Sequence, residues 1–274
     1  MRNKLISKIL FVFLIFCFIG CSPEYNLATK KEEMIYYSTD REVNLGANID
    51  KEIAKSKEKE LKLADDPLLT KRVEDIGKRI VDVCDRKEIT YHFRVLEDEE
   101  VNAFSLPGGY VYINKGLIEK TANDDELAAV IAHEVGHIVA RHSVKKLQAA
   151  MTYSLLRILS SQIPQAREAN WSADYAFAQV IAGYARDDEL LADRLGARYA
   201  GLAGYDPSAM ITFLKKLQEV NRKQPLRPKS YLKTHPYVPD RIRTVKQELG
   251  EDMSFDDFIN IEQVHEHPLE DSSR

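Results

Sequence analysis

Two histidines and a glutamate near the middle of the chain have the residue types and the spacing of a metal site. His133, Glu134 and His137 form the pattern H-E-x-x-H. On a helix, positions i and i+4 lie one turn apart on the same face, so His133 and His137 can direct two imidazoles at one ion. Glu134 projects about 100° further round the helix. It therefore lies beside the ion, where a general base for metal-bound water is expected.

The flanking residues predict that this pattern lies on a helix. Asn123 is a suitable N-cap, and Glu126 follows three residues later as in a capping box. Apolar residues recur at helical spacing, namely Leu127, Val130, Ile131, Ile138 and Val139. We expect the helix to continue to about Ser160 and to stop before Pro164. Gly136 within it either permits the close approach of another backbone or is simply tolerated.

A third histidine, His142, follows nine residues after His133. On a continuous helix this spacing corresponds to about 180° of rotation. We therefore expect His142 to face away from the metal, as a surface or packing residue. The spacing also differs from the H-E-x-x-H-x-x-G-x-x-H pattern of metzincins.

A catalytic zinc site needs three protein ligands and an open position for water. Two acidic residues further along the chain, Glu168 and Glu189, are candidates for the third ligand. Glu189 is favoured because it lies in a helical pattern, with Asp193 one turn further along the same face. Asp193 could then accept the second N–H of a zinc-bound histidine. The adjacent Asp187 and Asp188 are explained by the solvated acidic first turn of a helix that begins near Asp187.

Five linked motifs resemble those of the HtpX/CAAX-prenyl-protease family of zinc metallopeptidases, peptidase family M-48. They are Asn102-Ala103-Phe104 with Pro107-Gly108-Gly109, His133-Glu134-x-Gly136-His137, Glu189-x-x-Ala192-Asp193, Ala203-Gly204-Tyr205-Asp206-Pro207, and Thr234-His235-Pro236. The resemblance covers about residues 42–250, with the motifs in the right order. More closely, the chain resembles the periplasmic lipoprotein members. We therefore expect neither the long transmembrane helices of HtpX-type members nor the helical-repeat module of some relatives.

The resemblance implies a metal ion and a role for each residue around it. His133, His137 and Glu189 would bind one Zn²⁺. Glu134 would be the general base, and Asp193 would support a zinc-bound histidine. The expected fold is α+β and mostly helical, a zincin (gluzincin) metallopeptidase domain with a small β-sheet packed over the H-E-x-x-H helix.

The resemblance also implies a substrate class. Asn102, Ala103 and Phe104 would belong to an edge strand that pairs with an extended substrate backbone, which recognises main chain rather than one side-chain sequence. The expected function is zinc-dependent cleavage of misfolded or unassembled cell-envelope proteins, with the outer-membrane assembly machinery as a further partner. The alternative is a non-enzymatic envelope chaperone or assembly lipoprotein with a structural zinc. Glu134 favours the enzyme, because a structural site needs no base beside the metal.

His235 has several expected roles that the sequence leaves open. Pro236 and Pro239 stiffen its segment, and the resemblance implies that this His-Pro pair lies near the zinc. His235 could donate a hydrogen bond to the developing oxyanion, with Tyr231 and Tyr237 as rivals on the same loop. It could instead fill the open zinc position until substrate displaces it. A structural histidine ahead of the last helix is the third alternative.

The N-terminus has the features of a secretory signal. Basic residues precede an unbroken apolar run over residues 9–20, which is about 18 Å long as a helix and too short to span a ~30 Å hydrocarbon core. Cys21 and Ser22 then resemble a bacterial lipoprotein processing site, and ordinary signal cleavage nearby is the alternative. We expect residues 1–20 to be removed and Cys21 to be lipidated. The mature protein would be an outer-membrane lipoprotein that faces the periplasm.

The remaining chain divides into three predicted parts: a lipidated cysteine and polar tether at 21–41, the metallopeptidase domain at 42–250 and an acidic tail at 251–274. Strands are predicted at 89–96, 101–105 and 110–113, and residues 165–185 as helix and loop over the site.

Charge argues against nucleic acid as a partner. The whole chain has 39 Lys and Arg against 43 Asp and Glu. Loss of Arg2, Lys4 and Lys8 with the signal leaves 36 basic residues against 43 acidic ones, a net charge of −7. A protein this acidic gives no reason to expect nucleic-acid binding.

Overall fold

Helices dominate the structure, with a short hairpin and a three-stranded sheet in the described part of the chain. The computed structural model describes residues 24–56, 58, 61–161, 167–223 and 230–253, and for some of them, chiefly 158–184, only the backbone. The strands are β1 (Glu24–Asn26), β2 (Lys31–Glu33), β3 (His92–Leu96), β4 (Ala103–Leu106) and β5 (Tyr110–Asn114). The helices are α1 (Thr39–Lys55), α2 (Pro67–Val81), α3 (Lys115–Ile118), α4 (Asp124–Val139), α5 (His142–Ser161), α6 (Arg167–Leu202), α7 (Ala209–Lys223), α8 (Ser230–Thr234) and α9 (Val238–Leu249). Among the described residues, no helix has the length and apolarity to cross a membrane. The prediction of a mostly helical α+β fold is confirmed.

The small sheet packs against α4, the helix that carries the H-E-x-x-H pattern. The strand order is β3-β5-β4, with β3 parallel and β4 antiparallel to β5. Val111 and Ile113 of β5 share an apolar core with Val130 of α4. Gly108 and Gly109 have positive φ angles of 76° and 101° and form the turn between β4 and β5. In the described sheet β4 pairs only with β5, so β4 is an edge strand.

Helices α4 and α6 approach closely because a glycine stands at each contact point. A Cβ atom on Gly136 of α4 would lie 2.9 Å from the carbonyl oxygen of Ala192. One on Gly196 of α6 would lie 3.0 Å from a backbone nitrogen of α4. Close approach of another backbone is therefore the reason for Gly136. Because α6 runs unbroken over Arg167–Leu202, the prediction of a helix start near Asp187 is wrong.

A break ends the H-E-x-x-H helix earlier than the sequence predicts. Helix α4 stops at Val139 rather than near Ser160, and α5 begins at His142. Between them Arg141 has a φ of 58°, in the left-handed region that costs a non-glycine residue about 1–2 kcal/mol. The buried guanidinium of Arg141 offsets this cost by donating to Glu42, with Nε 2.8 Å from Oε2. The break redirects the chain, so helical spacing cannot be counted through it.

Glu42 of α1 holds this junction in place. Its carboxylate accepts two hydrogen bonds from the Arg86 guanidinium at 2.9 Å and a third from Arg141. The N–H of Gly108 donates to the same carboxylate at 3.3 Å. Burial alone would raise the pKa of Glu42, but the two guanidinium groups outweigh it and lower that pKa. The ion pairs therefore stabilise the fold at neutral pH, and this contribution is lost as the pH falls through the lowered pKa.

The predicted tether at 21–41 has structure of its own from residue 24 onward. Strands β1 and β2 pair as an antiparallel hairpin. Asn26 donates from Nδ2 to the carbonyl oxygen of Ala140 at 3.3 Å. The N–H of Tyr36 donates to Gln148 of α5 at 2.8 Å. This part of the segment therefore packs on the junction of α4 and α5, which the polar composition did not reveal.

Candidate metal centre and active site

Four donor groups converge between α4, α6 and the segment after α8. One ligand atom from each of His133, His137, Glu189 and His235 lies within 4.8 Å of the other three, and all four residues are buried. The Nε2 atoms of His133 and His137 are 3.0 Å apart. Each Nε2 lies 3.4 Å from an oxygen of Glu189. The structure thus brings together four residues that sequence reasoning selected from three segments, the outermost of which are 102 positions apart.

Glu134 lies beside this cluster, and its carboxylate forms no hydrogen bond with the described residues. The side chain is buried, yet neither carboxylate oxygen has a hydrogen-bond partner among the described residues. The Nε2 atom of His235 lies 3.4 Å from Oε1 but forms no hydrogen bond with it. A buried carboxylate with free lone pairs is costly unless a further group binds it. Glu134 is therefore available to a molecule of water or substrate that enters the site.

Asp193 holds the outer nitrogen of His133. The Nδ1 atom of His133 lies 2.8 Å from Oδ1 of Asp193. The sequence predicted this neighbour from the one-turn spacing between Glu189 and Asp193. When Nδ1 donates to the carboxylate, Nε2 keeps its lone pair directed at the donor cluster.

Arg241 of α9 is a buried residue of the site that sequence reasoning missed. Its Nε and one terminal nitrogen each donate to a different oxygen of Asp193 at 2.8 Å. The other terminal nitrogen donates to the backbone carbonyl of His235 at 3.2 Å. One guanidinium therefore fixes both the carboxylate behind His133 and the segment that carries His235. The only signal for it is a basic residue six positions after His235, which a solvated helix face explains equally well.

His142 faces the site, so the prediction that it points away is wrong. It is 2 % exposed, and its Nδ1 lies 2.7 Å from Nδ1 of His137. The prediction failed because it counted helical rotation through the break at Arg141. Asp188 was expected in a solvated first turn, but it lies within α6 with its side chain 17 % exposed and 3.3 Å from Nε2 of His142. Asp187 is exposed, as expected.

The charges of the donor set suit a divalent cation. The buried carboxylates in and next to the donor cluster are those of Glu134, Glu189 and Asp193. Among the described residues one buried guanidinium, that of Arg241, faces these carboxylates, which leaves a formal charge of −2 when the histidines are neutral. A buried charge of this size requires compensation. Two imidazoles and a carboxylate are a ligand set found in catalytic metal sites, so the residues fit a metal ion.

The protein environment keeps the carboxylates of Glu189 and Asp193 ionised. Burial raises the pKa of Glu189, but two facing imidazoles outweigh it and hold that pKa well below its usual range. Burial also opposes ionisation of Asp193, yet Arg241 and His133 lower the pKa of Asp193 to about 2. Burial and the guanidinium disfavour a charged His133, but the neighbouring carboxylates raise its pKa to about 9. These three shifts reflect a site that attracts positive charge. Burial lowers the pKa of His137, which favours the neutral imidazole that a metal ligand requires.

The predicted substrate segment borders the donor cluster. Ala103 and Phe104 lie in the edge strand β4, while Asn102 precedes it. The Nε2 atom of His235 lies 3.4 Å from the carbonyl oxygen of Ala103. The side-chain oxygen of Asn102 accepts a hydrogen bond from Thr234 at 3.2 Å. A strand that paired with β4 would therefore run directly past His235.

Several predictions fall outside the described residues. They concern the side chain of Glu168, residues 165 and 166 of the predicted helix and loop, the signal at 1–20, Cys21 and the tail beyond residue 253. Residues 167–185 are helical throughout, as part of α6.

The sequence profile described as Peptidase family M48 matches residues 67–249. This range contains the H-E-x-x-H pattern, Glu189 and His235. The chain belongs to peptidase family M48. It therefore carries the metallopeptidase domain of this family, and the resemblance inferred from its motifs is confirmed.

Curated relatives carry protease names. The Beta-barrel assembly-enhancing protease of Yersinia pestis is 34% identical over 188 residues, which is 65% of this chain and 38% of that protein. The protein of the same name in Escherichia coli (strain K12) is 33% identical over 191 residues, 66% of this chain and 39% of that protein. The Mitochondrial metalloendopeptidase OMA1 of Saccharomyces cerevisiae is 28% identical over 267 residues, 90% of this chain and 76% of that protein. The chain thus spans about two fifths of the length of the two bacterial relatives.

Proposed function

We propose that this protein is a zinc-dependent endopeptidase that cleaves misfolded or unassembled proteins of the bacterial cell envelope. The observation that carries the proposal is a buried donor set with a carboxylate, that of Glu134, free of hydrogen bonds beside it. Membership of peptidase family M48 and the names of the relatives support peptide hydrolysis. The substrate class rests on the resemblance of the motifs and on the name of the bacterial relatives, Beta-barrel assembly-enhancing protease.

The chemistry follows from the side chains of the site. His133, His137 and Glu189 would hold the ion, and Asp193 would orient His133. Zinc in this position would supply Lewis acidity, which lowers the pKa of a coordinated water toward 7 and polarises a peptide carbonyl. Glu134 would take the proton of the attacking water and return it to the leaving amine.

An edge strand suits substrates that share only an extended backbone. Asn102, Ala103 and Phe104 would line up the substrate as an additional strand on β4, through main-chain hydrogen bonds. Such recognition is independent of most side chains. It therefore suits an enzyme that acts on unfolded segments of many proteins.

The competing function is a chaperone or assembly lipoprotein with a structural zinc. The free carboxylate of Glu134 argues against it, because a structural zinc site needs no base beside the metal. Cleavage of unfolded casein by the mature protein separates the two functions. We expect cleavage that a chelator abolishes and added zinc restores. Binding of casein without any cleavage would favour the chaperone.

His235 fits the role of a plug in the fourth position of the metal site. Its Nδ1 lies 3.3 Å from Nε2 of His133 and 3.1 Å from an oxygen of Glu189, inside the donor set. Its other ring nitrogen faces the carbonyl oxygen of Ala103. A substrate strand on β4 would have to displace His235 from the donor set and from the carbonyl oxygen of Ala103. Substrate binding would therefore be coupled to the release of the fourth metal position. The hydroxyl of Tyr231, which is buried without a hydrogen bond among the described residues, then becomes the candidate oxyanion donor.

Replacement of His235 by phenylalanine should raise the rate of cleavage and leave the zinc content unchanged. Phenylalanine keeps a ring to stack on Tyr231, as His235 does at 4.6 Å, but offers no lone pair to the metal. The measurement is kcat on an unfolded substrate together with elemental analysis. His92→Phe, the same change outside the donor cluster, is the matched control. A fall in kcat of about 10²–10³ with zinc retained would instead make His235 the oxyanion donor.

Localisation in the outer membrane, facing the periplasm, is part of the proposal. It rests on the apolar run at 9–20 and on Cys21. Acyl chains contribute about 0.8 kcal/mol per buried CH₂, so a lipidated cysteine would hold the protein at the membrane.

Replacement of Cys21 by alanine should move the protein out of the membrane fraction or leave it unprocessed. The short apolar run cannot replace the acyl chains as an anchor. Cell fractionation and mass spectrometry of the N-terminus measure the effect. Cys84→Ala, which alters a buried free cysteine, is the control and should stay membrane-bound. A wild-type N-terminus without acyl mass would reject lipidation.

A further inference from the structure

The two metal-site histidines of α4 are supported in different ways. His133 contacts a carboxylate directly, with Nδ1 2.8 Å from Asp193. His137 has no such carboxylate on its outer side among the described residues. Its Nδ1 instead lies 2.7 Å from Nδ1 of His142. Two ring nitrogens at this distance must share one proton, because two lone pairs or two N–H groups would repel each other.

The neighbour of the other ring nitrogen of His142, Nε2, determines whether His137 or His142 carries that proton. The Nε2 atom of His142 lies 3.3 Å from Oδ1 of Asp188. An ionised carboxylate only accepts hydrogen bonds, so Nε2 of His142 must carry a hydrogen. In a neutral His142 the Nδ1 atom is then the acceptor, and the shared proton belongs to Nδ1 of His137. Burial raises the pKa of Asp188 and Lys146, 3.7 Å from its other oxygen, lowers it; the resulting pKa of about 6 leaves this carboxylate ionised at neutral pH.

This proton arrangement has a consequence for the donor cluster. With Nδ1 of His137 protonated, its Nε2 has a free lone pair, which points toward His133 and Glu189. The reverse arrangement would put a hydrogen on Nε2, directed at the cation. Only the first arrangement is compatible with a metal ligand.

We propose that His142 and Asp188 form a relay that fixes the ring orientation and tautomer of His137, with His142 as a positioning residue. The proposal rests on metal binding by His137, as in the proposed function. The fold explains why a relay is used. The break at Arg141 turns His142 back toward His137, and Asp188 precedes the ligand Glu189 on α6. Helix α6 therefore supplies the ligand Glu189, the carboxylate of Asp193 that contacts His133, and the carboxylate of Asp188 that acts on His137 through His142.

The test is the zinc affinity of purified variants, measured by competition with a chromophoric chelator. His142→Phe removes the acceptor and should weaken zinc binding by about 10–100-fold. His142→Asn should recover much of the affinity, because its amide oxygen can accept the proton near the position of Nδ1. Asp188→Asn should weaken binding, whereas Asp187→Asn, the same change at the exposed neighbouring position, should not.

Two further measurements separate the relay from a structural role and from failure of the proposed function. Thermal unfolding in excess chelator should be alike for wild type and His142→Asn, which shows that the fold is intact. In the zinc-loaded wild type, ¹⁵N NMR should find the proton of His137 on Nδ1. Wild-type protein that binds no zinc would overturn the proposed function. Wild-type affinity in His142→Phe, or a proton on Nε2 of His137, would overturn the relay alone.

Discussion

Replacement of Glu134 by glutamine should abolish peptide hydrolysis while the metal stays bound. Glutamine fills nearly the same space but cannot accept the proton of the attacking water. Loss of a general base typically costs about 10²–10⁴ in rate. Because Glu134 lies beside the donor set rather than in it, the ligands should be unaffected. The measurements are turnover of unfolded casein and zinc by elemental analysis.

A control for this substitution comes from the surface of the same domain. Glu119→Gln makes the same chemical change at an exposed position and should cleave casein at the wild-type rate. If the Glu134→Gln protein cleaved as fast as wild type, Glu134 would not be the base. A variant without zinc would show instead that Glu134 takes part in binding the metal.

Replacement of Glu189 by alanine should remove most of the zinc at micromolar protein concentration. Glu189 contributes the only carboxylate among the converging donors of the described residues, and the ionised form contributes its charge as well as a ligand atom. Glu168→Ala is the matched control, because it removes the same side chain from the other sequence candidate. Elemental analysis after gel filtration measures both. If Glu168→Ala were the metal-free variant, the assignment of the third ligand would be wrong.

The features that the sequence predicts correctly are the local ones. His133 and His137 lie on a single helix, and Glu189 and Asp193 lie one turn apart on another. Within one regular helix the side-chain directions follow from spacing alone. The close contact of the two helices, which brings these pairs together, depends on Gly136 and could not be derived from spacing.

The features that the sequence does not predict depend on interruptions and on distant parts of the chain. The prediction for His142 was wrong because Arg141 adopts a left-handed conformation. An ion pair with Glu42, which lies 99 positions earlier in the chain, stabilises this conformation. Arg241 was missed because its partner Asp193 lies 48 positions earlier. Neither contact leaves a periodic pattern, and a basic residue on an amphipathic helix ordinarily indicates a solvated face.

The position of the metal ion can be measured directly by anomalous X-ray scattering at the zinc absorption edge, from crystals of the zinc-loaded protein. We expect one strong anomalous peak, bound by Nε2 of His133, Nε2 of His137 and the carboxylate of Glu189, with Nδ1 of His235 in the fourth position. Glu134 should lie beside the ion without binding it. A peak held by other residues, or no peak at this position after saturation with zinc, would contradict the proposed metal centre.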